Sequence, residues 1–203
     1  MRLLLGFLLG TMLATALSLN AVDSPFLFEN GNVVLDGHDF IVRNGNVIIG
    51  DATVSGVHNL AVGSGHVLLG GSNVAFGEGH YLVGDENVAL GGKQHYLSGT
   101  YFAALGGYRS QISDTAQYAT IAGGILNRII GGSYGTIAGG YQNLSTGSYT
   151  FQGGGNHSHA TGTLAVTLNG LFGRASAARA TAIGGYNPVA DERDEITLGA
   201  PLP

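Results

Sequence analysis

Apolar and polar residues along this chain follow a short unit that is written repeatedly. Asn59-Leu60-Ala61-Val62-Gly63 returns as Asn73-Val74-Ala75-Phe76-Gly77 and again as Asn87-Val88-Ala89-Leu90-Gly91, each copy 14 residues after the last. Halfway through each period lies a second unit, His66-Val67-Leu68-Leu69-Gly70, then His80-Tyr81-Leu82-Val83-Gly84, and more loosely His95-Tyr96-Leu97-Ser98-Gly99. A fixed step over several copies signals stacked repeats and outranks any local reading of helix or strand. Each half-period has room for one strand of about four residues and a tight turn, but not for a helical repeat. The predicted fold is therefore all-β: a parallel β-roll or solenoid of 13–17-residue rungs with two short strands per rung.

The repeat motif comprises Asn59, Ala61, Gly63, Asn73, Ala75, Gly77, Asn87, Ala89 and Gly91, with later corners at Gly123, Gly139 and Gly184. Val, Leu, Ile, Phe and Tyr suit the strands, and Gly suits corners that need positive φ. Asn also recurs at 32 and 46, so stacked amides bonding from rung to rung are expected. Four regions follow: a leader over 1–21, a cap and first irregular rung over 22–45, β-roll repeats over 46–190, and an acidic tail with a last strand over 191–203. Within 22–45, Ser24 to Phe28 reads as the cap, and Asn32–Leu35 and His38–Val42 as half-rungs. The longest insertion, Arg109 to Tyr118, is the expected protruding loop.

The strands are apolar on both faces. In Val74-Ala75-Phe76 and Val88-Ala89-Leu90 large residues alternate with Ala, which places the large ones inside and leaves a small apolar face outside. Strands apolar on both faces are normally buried on both. The Ala-bearing face is thus expected to pack against identical chains about a symmetry axis.

The Asn-Val-Ala-(Leu/Phe)-Gly unit and its variants Thr120-Ile121-Ala122-Gly123-Gly124 and Thr136-Ile137-Ala138-Gly139-Gly140 resemble the YadA-like head domain of trimeric autotransporter adhesins. The resemblance covers residues 46 to 199 and is most specific from 59 to 91. It implies a left-handed parallel β-roll, a homotrimer and a surface role, with no catalytic residue. Glu192-Arg193-Asp194-Glu195-Ile196-Thr197 distantly resembles the Glu-Arg-x-Ile-Thr entry to the neck of such heads, with two residues in place of one.

Composition narrows the function. Gly fills 36 of 203 positions without a three-residue period and Pro only 4, which excludes collagen and leaves tight turns. Charged residues are only 10%, yet no run after the first 20 residues is apolar and long enough to span a membrane. A net charge of -5 disfavours nucleic acid, and the acid-free stretch from Thr115 to Ala190 carries just Arg128, Arg174 and Arg179. With no cysteine, neither disulfides nor thiolate metal sites stabilise the fold. Arg2 followed by Leu3 to Leu17 and small residues reads as a secretory signal peptide, so an extracellular or cell-surface location is expected.

Candidate chemistry is sparse. His66, His80 and His95 fall on one edge of successive rungs, roughly 5 Å apart; that spacing suits a transition metal, but a solvated corner preference without metal is the expectation. His157-Ser158-His159 reads as a loop. Thr120, Thr136, Thr150 and Thr181 precede corners and raise ice binding by a β-solenoid as the alternative function. Tyr108, Tyr141 and Tyr186 follow Gly-Gly pairs and suit contact with sugars or proteins. Asn143 and Asn156 head glycosylation sequons. Acids stand at isolated corners, such as Glu78, Asp85, Glu86 and Asp114, rather than converging on a groove, so no catalysis and no cofactor are expected. The reading is a secreted or cell-surface structural and adhesive module, a homotrimer with an extracellular protein, glycan or cell-surface ligand.

Overall fold

The computed structural model describes residues 26–29, 32–35, 45–113 and 115–201. They belong to two compact units, Met1–Gly45 and Asn46–Pro203. The described part of the first is an antiparallel pair, Phe26–Glu29 with Asn32–Leu35, with Phe26 opposite Leu35 and Glu29 opposite Asn32. This corrects the half-rung expected at Asn32–Leu35. The dipeptide between the strands is Asn30-Gly31, the pair two-residue hairpin turns favour, and this local signal outweighs the weak match to the repeat. The leader over 1–21 and the half-rung expected at His38–Val42 lie outside the described residues.

The described residues of the second unit form a parallel β-solenoid of about 10 turns, with rungs of about 15 residues and no helix. The long strands Val47–Ser55 and Leu60–Leu69 each run along both walls and pair with one another, and from Val74 onward each strand pairs with the one two further along the chain, so two walls rise side by side. In the first wall Leu60, Val74, Val88, Ala103, Thr120, Thr136, Phe151, Val166, Thr181 and Ile196 stack in register. In the second, Val67, Tyr81, Tyr96, Gln111, Arg128, Leu144, His159, Arg174 and Val189 do the same. The described residues of Arg109 to Tyr118 belong to the stack rather than to a protruding loop. They include the strand Gln111–Ile112, and by Gln117 the chain is again bridged to the next rung, at Ser133. The acidic C-terminal stretch continues the stack, with Ile196–Leu198 in register on Thr181–Ile183.

The strand faces are the reverse of those expected. Ala61, Ala75, Ala89 and Ala104 are buried inside the first wall, together with Leu68, Leu82, Leu97 and Ile112 of the second. Val74, Phe76, Val88 and Leu90 point outward. From Ala61 to Ala104 the first wall turns only alanine inward, and the second wall supplies the large side chain of each rung. Further along both walls supply large residues, Ile121 and Ile137 on the first with Ile112 and Ile129 on the second; buried Ser145, Thr150 and Gln152 follow, and a second cluster runs from Ala160 to Ala190 with buried Thr167 within that span.

Corner glycines are fixed by contact between rungs. At Gly63, φ is +129° and an added β-carbon would lie 1.9 Å from the Gly77 carbonyl oxygen one rung away. At Gly70-Gly71 the first residue bears this constraint, and at Gly123-Gly124 and Gly139-Gly140 the second. Gly124, at φ +85°, would bring a β-carbon to 2.2 Å from the Gly140 oxygen, whereas Gly123 and Gly139 face open space.

Candidate functional site

Two polar ladders run inside the corners and hold successive rungs at one spacing. In the first, Oδ1 of Asn46, Asn59 and Asn73 accepts from the backbone N–H of Asn59, Asn73 and Asn87, each at 2.9 Å. The Nδ2 groups donate to glycine carbonyls, Asn73 to Gly84 and Asn87 to Gly99 at 2.8 Å. The bonding is thus chiefly amide to backbone rather than the amide-to-amide stacking expected, although Asn59 Nδ2 also reaches Asn46 Oδ1 at 3.1 Å.

The second ladder contains the histidines. Nδ1 of His66, His80 and His95 accepts from the backbone N–H of His80, His95 and Ser110 at 3.2–3.3 Å. Nε2 of His66 and His80 lies 3.1 and 3.0 Å from the carbonyls of Val62 and Phe76, four residues back. This pattern fixes the neutral tautomer with the proton on Nε2. Asn127 and Asn143 repeat it further along, donating to Gly123 and Gly139 at 2.9 Å, with Asn127 Oδ1 accepting from Asn143 N.

The imidazoles are therefore not on a solvated corner, as expected, but fully buried and stacked, with centroids 5.1 and 4.9 Å apart. Both nitrogens of His66 and His80 are engaged, which leaves no lone pair for a cation. Burial lowers the His80 pKa to about 4 against the pull of its bond to Phe76, with repulsion from His95 and His66 adding to the shift. His95 is lowered by burial too. Among the described residues no three His, Cys, Asp or Glu side chains converge as metal ligands.

Corners outside the ladders carry residues in the left-handed backbone region. Tyr101, Tyr118, Tyr134 and Tyr149 occupy one such column at φ 50–64°. Their rings form an exposed stack at 4.9, 5.1 and 4.9 Å. Stacking contributes about 0.5–1.5 kcal/mol per pair, which offsets the cost of an aromatic residue at positive φ. The sequence reading missed this column, whose signal is a Tyr recurring one residue before the buried position that opens each first-wall strand. Tyr108, Tyr141 and Tyr186 lie on another corner, exposed as expected and linked through Ile125, Asn156 and Leu171.

The threonines do not form one array. Thr120, Thr136 and Thr181 share the outward first-wall column with Phe151 and Val166 between them. Thr150 is buried in the interior, bonded to Ser145. Of the sequon residues, Asn156 is exposed, whereas Asn143 is 1% exposed with its Nδ2 committed to Gly139 and Gly155. Acids sit at corners: Glu78 pairs with Lys93 at 2.6 Å, and Asp85 accepts from Gly71 N at 2.6 Å.

The two outward surfaces differ in chemistry. On the first wall the second outward column reads Ile49, Val62, Phe76, Leu90, Leu105, Ala122, Ala138, Gly153, Leu168, Ile183 and Leu198. Beside the column from Leu60 to Ile196, it makes an apolar sheet face without one charged residue. Phe76, Leu90 and Leu105 are 36, 41 and 46% exposed. The second wall instead displays Gln111, Arg128, His159 and Arg174, and His157–His159, expected as a loop, contributes corner residue His157 and strand residue His159. Comparison with known proteins finds no matching family model and no matching curated protein.

Proposed function

We propose that the chain is a secreted or cell-surface structural module with an adhesive role, non-catalytic and assembled as a homotrimer. The observation that carries this reading is the uncharged apolar face of the first wall. An exposed, largely apolar surface of this kind, interrupted only by Thr120, Thr136 and Thr181, marks an interaction site, and closed symmetry lets identical chains cover one another's copy of it. The resemblance of the repeats to YadA-like heads supports three-fold order and left-handed winding. With the first wall covered, the second wall and the corner columns remain for contact with an extracellular ligand, through short corners rather than the long loop first expected. The Leu3 to Leu17 apolar run supports export.

Ice binding is the second reading, favoured by the adjacent outward pair Thr120 and Thr136. Phe151 and Val166 interrupt the regular hydroxyl array it needs. The two separate by measuring saturable binding to cells or extracellular matrix alongside thermal hysteresis, for the natural chain and Thr136→Lys. Adhesion predicts saturable binding and no hysteresis. Hysteresis that disappears in Thr136→Lys would establish the rival instead.

A further inference from the structure

Register brings together basic residues that lie far apart in the chain. Arg128 pairs with Leu144, Leu144 with His159 and His159 with Arg174, so Arg128, His159 and Arg174 share one outward column of the second wall. Neighbouring rungs stand about 4.8 Å apart, which places Arg128 and His159 roughly 10 Å from one another. Alongside runs the corner column with Arg109, Gln142 and His157. Between the two columns lies a shallow groove of about 360 Å³, lined by Arg109, Gln111, Arg128, His157 and His159 over Leu126 and Leu144.

No carboxylate lines this groove. The sequence holds no Asp or Glu from Thr115 to Ala190, and Asp114 lies outside the described residues. Arg179, the remaining arginine of that stretch, pairs with Asp194 elsewhere on the surface. Arg128 Nε donates to Gln111 at 3.0 Å, a neutral partner that leaves its charge uncompensated. His159 is held below its usual pKa by burial, and then by Arg174 and His157, as crowding by like charge requires. On a chain of net charge -5, a groove of one sign is a local departure with a chemical preference.

The geometry selects among anions. Main-chain N–H and C=O groups of the second wall are spent on bonds between rungs, for instance Arg128 N to Asn143 O and Leu144 N to Ser158 O at 2.9 Å, so an acidic peptide finds no strand edge to extend. A nucleic acid strand is read by a longer cationic track with aromatic faces on which bases stack. Here no Tyr, Phe or Trp lines the groove, and the stacked rings of Tyr101, Tyr118, Tyr134 and Tyr149 are closed on one another. What remains is guanidinium and amide donors repeated along the stack, a pattern that suits sulfates carried at regular intervals by a sugar chain.

We propose that this groove, continued along its outward column to Arg174 one rung beyond His159, binds a linear sulfated polysaccharide lying along the stack axis, its sulfate groups held by Arg109 and Arg128 in the groove and by Arg174 beyond it. The proposal deepens the adhesive reading and rests on it. The test is calorimetric titration of the full secreted chain with a heparin oligosaccharide and with the same oligosaccharide stripped of its sulfates. Binding is expected for the sulfated form alone. Arg128→Gln with Arg174→Gln should weaken it at least ten-fold, and should flatten the slope of log affinity against log salt by about two. Lys93→Gln should leave it unchanged. Both arginines are exposed, so an unchanged melting curve checks the fold of the double variant. Equal binding of the desulfated chain, an unaffected double variant, or equally tight binding of polyglutamate at the same arginines would each overturn the site. Cell binding that persists without heparin binding defeats the site alone, whereas arginine-dependent heparin binding without any cell or matrix binding defeats the adhesive reading.

Discussion

At Gly124 a β-carbon would sit 2.2 Å from a carbonyl oxygen, while at Gly123 it would meet open space. Gly124→Ala should therefore lose at least about 1–3 kcal/mol from positive φ alone, whereas Gly123→Ala should stay near neutral or gain a few tenths. Urea unfolding of the two variants checks this, and equal losses would contradict the account of the corners. His80 gives a second test at this scale. Its folded pKa of about 4 lies below the ordinary 6.5, so the unfolded chain takes up the proton first. Stability should be complete above about pH 6.5, fall as pH drops toward 4, and level off below. Asn fills the same ladder role at 127 and 143, with the same bond to the carbonyl four residues back. His80→Asn should accordingly keep the fold and reduce the slope of melting temperature against pH in that window. An unchanged slope would show that His80 is not the buried neutral group described.

At the scale of the strand, the repeat was legible and its facing was not. Period, turns and the two half-units could be read because Asn, His and Gly each mark a fixed place in the rung. Which face of Val74-Ala75-Phe76 turns inward could not, since both faces are apolar and no polar residue sets the phase. The deciding term is space, because Leu82 from the opposite wall already fills the interior and leaves a volume that suits Ala75. Buried histidines escaped for a related reason. Their role depends on bonds to carbonyls four residues back and to the next rung, and a residue type found both inside and at the surface reveals neither. The cationic groove was hidden because its members are separated in sequence and joined only by register. Ala75→Glu now has a different expected outcome from the one the sequence suggested. An unpaired carboxylate in the core should cost about 3–5 kcal/mol, seen as a large drop in melting temperature rather than as dissociation of a folded assembly.

For the solenoid unit as a whole, the walls divide the work on this proposal: the uncharged first wall meets other copies of the chain, and the basic stretch of the second wall from Gln111 to Arg174 meets a ligand. This division depends on self-association through Phe76, Leu90 and their neighbours. Leu90→Glu should leave the fold intact, because the side chain is 41% exposed, yet separate the subunits by placing like charges together in a closed interface. The most direct test is the mass of the protein in solution, measured by light scattering over a range of concentrations for the natural protein and for Leu90→Glu. The account predicts three chains at every concentration for the first and one folded chain for the second. A natural protein that remains a stable monomer throughout would contradict it.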